Sequence, residues 1–187
     1  IIDSIENNNL AAEISLILSN VPDSYALQRG KKHGLESIFL DPKSFSSRDD
    51  YEKQMIELLQ TKSIDLVCLA GFLRILGKKF IDAFSGKIIN IHPSLLPAFP
   101  GLNVQEKALQ HGVRFSGCTV HFVNEEVDGG AIISQAVVPI LDADDTQSLS
   151  DRILEQEHII YPEAIRLIIE NRLDFSGRRV VRKTRGN

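Results

Sequence analysis

Apolar positions along this chain switch repeatedly between a two-residue period and a three-to-four-residue one. Residues 14–20 (ISLILSN), 35–41 (LESIFLD), 65–72 (DLVCLAGF) and 87–91 (KIINI) read as buried strands. Between them, residues 24–34 and 76–86 read as helices closed by Gly34 and Gly86, and residues 48–63 as an amphipathic helix with Met55, Leu58 and Leu59 on its apolar side. Strands separated by helices at this spacing predict right-handed crossovers and a mostly parallel sheet covered on both faces. Further on, residues 117–123 and 131–140 flank EEVDGG in a hairpin-like pattern that predicts two antiparallel strands. A long helix over about 148–173 comes next, and Pro162 should interrupt and kink it because it lacks a backbone donor. The basic ending, residues 177–187, reads as a solvated terminal strand or tail. The fold class is therefore α/β: a three-layer, Rossmann-like, mostly parallel sheet with helices on both faces and an antiparallel C-terminal part.

Composition narrows this picture. With 187 residues, 43% hydrophobic and 25% charged, the chain suits a single domain spanning 1–187. A net charge of -4 offers no electrostatic reason for a nucleic-acid partner, and no stretch approaches the ~18 consecutive apolar residues of a membrane span. Cys68 and Cys118 lie inside apolar strand-like runs without metal-type spacing, which predicts buried thiols in a reducing compartment and a cytoplasmic protein. The first residues, IIDSIENNN, have helical spacing, run straight into a turn and do not begin with Met, so an upstream segment is expected.

Three places carry candidate chemistry. In KIINIHPSLLPAFPG, Asn90 and His92 share one face of a strand while Ile89 and Ile91 share the other, and Pro93, Pro97 and Pro100 stiffen the loop beyond the strand. Ligands of open parallel sheets bind at the carboxyl ends of strands, which is where His92 falls. A histidine there is either a core residue bonded to a carbonyl or a group presented to a ligand. Asp128 in VDGG is either part of a hairpin turn or a carboxylate that pairs with an imidazole and favours its charged form. Glu157 falls on the apolar stripe of the last helix, between Ile153 and Ile160, where it needs either a cationic or amide partner or the hydroxyl groups of a ligand.

Taken together, NIHPSLLPAFPG, the preceding LAGFLRIL, the later GCTVHFVNEEVDGG and the EQEHIIYPEA of the last helix closely resemble the phosphoribosylglycinamide formyltransferase family, in the same order and over nearly the whole chain. The resemblance implies the formyltransferase fold and formyl transfer from 10-formyltetrahydrofolate, a co-substrate, to the glycine amine of glycinamide ribonucleotide in purine synthesis. It implies a catalytic trio of Asn90, His92 and Asp128. It also implies a folate site of Arg48, Leu73, Arg74, Ile75 and Leu76 with Asn90, closed by Asn124, Glu125, Glu126, Val127 and Asp128. The nucleotide substrate would meet Pro93, Glu155, Gln156 and Glu157, and the polar residue often found at the place of Leu154 is missing. His121 matches a family histidine near the site, although its strand position favours a structural role. No metal is implied, the partners are small molecules rather than nucleic acid or membrane, and a monomer or homodimer is expected.

Family members open with a strand and a glycine-rich SGxGSN turn that holds the substrate phosphate. These 187 residues contain no such turn, so the upstream segment would amount to about 15 residues. Two alternatives keep part of the pattern. A formyltetrahydrofolate deformylase shares the trio but has a second His where Pro93 stands, and a metal-dependent hydrolase could use His92, His121 and Asp128 as two His and one carboxylate.

Overall fold

The computed structural model describes residues 1–183. A short helix α1 (Ile2–Glu6) leads to strand β1 (Ile17–Ser19), helix α2 (Tyr25–Lys32), strand β2 (Ser37–Phe39), a 3₁₀ turn at Pro42–Ser44 and helix α3 (Arg48–Thr61). Strand β3 (Val67–Leu69), helix α4 (Lys78–Ala83), strand β4 (Ile88–His92) and helix α5 (Val104–Gln110) come next. The antiparallel strands β5 (Phe115–Phe122) and β6 (Ile132–Pro139), helix α6 (Thr146–Ile169) and the terminal strands β7 (Leu173–Ser176) and β8 (Arg179–Arg182) complete the order.

The expected division into a parallel and an antiparallel part is present. Strand β1 pairs with β2, and β3 with β4, in parallel; β5 and β6 then extend the second sheet antiparallel to β4, in the order β3-β4-β5-β6. Among the described residues β1 and β3 are not hydrogen-bonded to each other, although Leu16 and Leu18 pack in the same apolar cluster as Val67 and Leu69. The layers arise from the two-residue alternation of β4. Ile88 points into a cluster with Tyr51 and Met55 of α3 and Phe80 and Ile81 of α4. Ile89 and Ile91 point the opposite way, against Ala108 of α5 and Ile153, Ile160 and Ala164 of α6.

Several boundaries differ from expectation for local reasons. Helix α5 escapes sequence reading because it has only 7 residues and comes after a stretch rich in proline and glycine; its apolar positions Val104 and Ala108 are nevertheless buried. Helix α6 ends at Ile169 rather than near 173, because Leu173 begins the hairpin of β7 and β8. It also runs through Pro162 as one element. The proline leaves the carbonyl of residue 158 without its helical donor, and since His158 is exposed, water can fill that role. The basic ending forms β8 over Arg179–Arg182, and residues 184–187 lie outside the described residues.

Candidate active site

Strand β4 delivers Asn90 and His92 to the sheet's carboxyl edge on the side of Ile88, as the alternation requires. His92 is buried, and its Nε2 lies 3.0 Å from the carbonyl oxygen of Phe99. A carbonyl only accepts, so Nε2 carries a proton and donates. On the other side of the ring, Nδ1 faces Asp128 Oδ2 at 3.5 Å. The two sequence readings of His92 thus coexist, since the ring bonds a carbonyl and also faces a carboxylate.

Asp128 comes from the loop between β5 and β6 and is itself in the left-handed region, with φ 52. Its Oδ2 accepts from the backbone N–H of Gly101 at 2.8 Å, which ties this loop to the proline-braced one. Of the two glycines that follow Asp128, Gly130 is fixed by packing. A Cβ on Gly130 would lie 1.7 Å from the carbonyl oxygen of Phe122, so glycine is required there for the approach of the loop to its own strand.

The proline-braced loop, residues 93–101, is held from beneath by groups that sequence reading passed over. Thr119 Oγ1 donates to the Ser94 carbonyl at 2.7 Å and accepts from the Leu96 N–H at 3.1 Å and from Gln135 Nε2 at 3.0 Å. Ser94 Oγ donates to the Ala98 carbonyl at 2.6 Å. These partners become adjacent only through strand pairing: Thr119 stands opposite His92, and His121 opposite Asn90. The same register sets His121 beside Asn90. It is fully buried, and Asn90 Nδ2 lies 3.3 Å and Asp128 Oδ1 3.7 Å from its Nε2, so it belongs to the trio's surroundings. Burial pushes its imidazolium below the usual histidine range; the bond to the Phe122 carbonyl and the Asp128 charge oppose that shift, and His92 adds to it.

The segment 73–76 divides between surface and core. Leu73 and Ile75 are strongly exposed apolar residues, 75% and 64%, whereas Leu76 is buried in the α3–α4 cluster. Arg74 lies over the Tyr51 ring at 5.3 Å. Arg48 is drawn to the same region through buried Glu52: Arg48 Nε donates to Glu52 Oε1 at 2.7 Å, and the Gly77 N–H donates to the same carboxylate at 2.9 Å. The i,i+4 spacing of Arg48 and Glu52 was a legible signal for that pair. On the far side of this region, Glu125 reaches Lys78 of α4 at 2.7 Å, Asn124 Oδ1 accepts from the Glu126 N–H at 3.1 Å, and Val127 is exposed.

Glu155, Gln156 and Glu157 stand apart. Among the described residues no hydrogen bond or ion pair links them to the trio, and α6 packs on the face of Ile89 and Ile91 rather than that of His92. Pro93 continues directly from His92, half-buried. Glu157 is half-buried with no bonded partner among the described residues, and burial pushes its carboxyl up to about 7. The thiols of Cys68 and Cys118 are unpaired and pushed up to about 12 by burial, which disfavours the thiolate form. The set His92, His121 and Asp128 does not form a group whose ligand atoms all lie within 4.8 Å of one another; among the described residues Asp3, Glu6 and His33 do, and there Asp3 is paired with Arg29.

Comparison with known proteins agrees with this architecture. The formyl transferase family model matches residues 1–165. The phosphoribosylglycinamide formyltransferase of Haemophilus influenzae is 43% identical over 92% of this chain and 82% of its own length. The trifunctional purine biosynthetic protein adenosine-3 of Drosophila melanogaster is 47% identical over 84% of this chain, which spans only 12% of that relative. Among solved structures, glycinamide ribonucleotide transformylase 1 from Symbiobacterium toebii superposes with a TM-score of 0.96 at 46% identity, over 98% of this chain and 87% of its own. On these grounds the chain belongs to the formyl transferase family, on its phosphoribosylglycinamide formyltransferase branch.

Proposed function

We propose that this chain transfers a formyl group from 10-formyltetrahydrofolate to the amine of N1-(5-phospho-D-ribosyl)glycinamide, in purine synthesis. The observation that carries the reading is the meeting of Asn90, His92 and Asp128, from a strand end and a distant loop, at the carboxyl edge of the sheet. In formyl transfer the amine attacks the formyl carbon and negative charge develops on the formyl oxygen. An Asn90 N–H directed at that oxygen, joined by an N–H of His92, would stabilise the charge. For His92 to present Nε2–H to substrate, its bond to the Phe99 carbonyl must open, so this reading requires the loop 93–101 to yield when substrate enters. Asp128 keeps a positive His92 oriented, and a proton passes from the amine to the departing folate nitrogen through His92 or a bound water.

The folate co-substrate is assigned to Leu73, Arg74, Ile75 and Leu76 with Arg48 on one side and residues 124–128 on the other. The exposed apolar side chains of Leu73, Ile75 and Val127 support that assignment, since such groups suit the face of an aromatic ring system. Pro93 and Glu155–Glu157 are assigned to the nucleotide, and Glu157, a carboxylate with no bonded partner among the described residues, suits ribose hydroxyls. No step in this scheme uses a metal. No helix among the described residues is long and apolar enough to cross a membrane, and the two free thiols favour a cytoplasmic setting.

The test is formyl transfer by the purified protein with both substrates, then the same assay on Asn90→Ala and His92→Ala. Each variant should lose about 10²-fold or more in kcat while keeping its fold. Near-native turnover in either removes the trio from the reaction. Formate release without transfer to the amine would reassign the chain as a deformylase, and activity abolished by chelation and restored by zinc would reassign it as a metal hydrolase.

A further inference from the structure

Directly across the antiparallel ladder from Asn90 stands His121, and its surroundings determine which ring nitrogen carries the proton. His121 Nδ1 lies 2.8 Å from the carbonyl oxygen of Phe122. A carbonyl cannot donate, so Nδ1 carries a hydrogen, and in the neutral ring Nε2 is a bare acceptor. The group facing that acceptor is Asn90 Nδ2, at 3.3 Å. The Asn90 carboxamide is therefore oriented: one N–H is held by the ring, and its second N–H, which has no other partner among the described residues, is left to face a substrate. A charged ring would reverse this, because an Nε2–H meeting the Asn90 NH₂ sets donor against donor. The amide would then turn its oxygen towards His121, and Nε2–H would lean towards Asp128 Oδ1, now 3.7 Å away.

We propose that His121 is a positioning residue for formyl transfer: as a neutral ring protonated on Nδ1, it fixes the Asn90 carboxamide so that N–H, rather than carbonyl oxygen, faces the reacting formyl oxygen. The proposal rests on the reading that Asn90 donates to that oxygen. The charged or titratable groups facing His121 are Asp128 from the loop after β5 and His92 from β4. Its nearly complete burial, at 2% exposure, opposes the charged ring, as does a positive His92. Acidification that forces a proton onto Nε2 would thus turn the Asn90 donor away and remove activity without unfolding the chain.

The first measurement needs no variant. Nitrogen NMR of the full-length protein, with labelled histidine, should show His121 with a protonated Nδ1 and an unprotonated Nε2 throughout the pH range in which the enzyme is active. A ring protonated on Nε2 in that range overturns the proposal. The second is kinetic. His121→Phe keeps a planar ring but offers no acceptor, and should lower kcat by about 10²-fold while the KM of each substrate moves by less than about threefold. His121→Gln, which can place an acceptor oxygen near the position of Nε2, should recover at least about tenfold of that loss and should have a weaker acid limb than the native enzyme, because the amide does not titrate. A purely structural histidine predicts instead that Phe and Gln variants lose folded protein alike, with no selective change in kcat or in the pH profile, and that outcome overturns the proposal. If Asn90→Ala keeps native turnover, the trio and this proposal fall together; if Asn90→Ala loses turnover while His121→Phe keeps it, this proposal alone falls.

Discussion

Glu157 shows how a single residue can be legible in part. Its place on the stripe between Ile153 and Ile160 predicted an inward carboxyl, but the sequence could not say whether a partner waits there, because that depends on which strands α6 covers. None does among the described residues, and burial pushes the group up to about 7. With the unfolded value near 4.5, the folded chain holds a proton that the unfolded chain releases as pH rises from about 4.5 to about 7. Stability therefore falls across that window, and Glu157→Gln should be the more stable protein above neutral pH, which thermal unfolding at pH 6 and pH 8 can check. If the ionised carboxylate grips ribose hydroxyls, nucleotide affinity should rise with pH through about 7 in the native protein but not in the variant. The variant's KM for the nucleotide should rise more than its KM for the folate. Greater stability with weaker nucleotide binding is the signature of a group kept for its ligand; a raised folate KM instead would move α6 to the other subsite.

At the scale of elements, periodicity located every strand from β1 to β6 and the helices α2, α3, α4 and α6, because each pairs an apolar repeat with a glycine, proline or polar stop. What it could not supply was register. Asn90 and His92 are two residues apart and readable together, whereas His121 and Thr119 reach them only across the β4–β5 ladder. The loop carrying Asp128 illustrates the same limit: VDGG announced a turn, but only the fold shows that its second glycine is pressed against the Phe122 carbonyl. Gly130→Ala should therefore cost about 3 kcal/mol or more, since the new methyl would collide with backbone that cannot swing aside. It should also lower kcat by displacing Asp128. Val127→Ala in the same loop should differ on both counts. That side chain is 52% exposed, so stability should stay within about 0.5 kcal/mol of native while the folate KM rises. Urea midpoints and the two KM values separate these outcomes, and a Gly130→Ala protein of native stability would contradict the packing of this loop.

Across the whole molecule, two apolar clusters lie on opposite faces of β4, and the proposed site spans both, with the trio on the α3–α4 side and Glu157 on the α5–α6 side. Its geometry therefore depends on how α6 is anchored to the sheet. The anchor is a forked ion pair just before and within the first turns of α6. Arg152 Nη1 and Nη2 reach the two oxygens of Asp144 at 2.7 and 2.8 Å, and Nη1 also donates to the Pro139 carbonyl at the end of β6. The Asp144 side chain is only 3% exposed and also accepts from the Leu141 N–H and from Ser148 Oγ. Arg152 above all, and then these hydrogen bonds, holds its carboxyl well below the usual carboxylate range. A depressed folded value means that the contribution to stability is fully present above the unfolded value of about 3.8 and fades as pH falls towards the folded one. Arg152→Met keeps much of the apolar stem but removes the fork, so it should lower the melting temperature clearly at pH 6, and the gap from native should narrow as the pH is taken below about 4. The nucleotide KM should rise in the same variant at neutral pH, because α6 carries Glu157 little more than one turn further on, while the folate KM should change little. A gap in stability that stays constant from pH 6 to pH 2 would mean that Arg152 contributes packing rather than charge; an unchanged nucleotide KM would mean that the anchor of α6 does not set the position of Glu157.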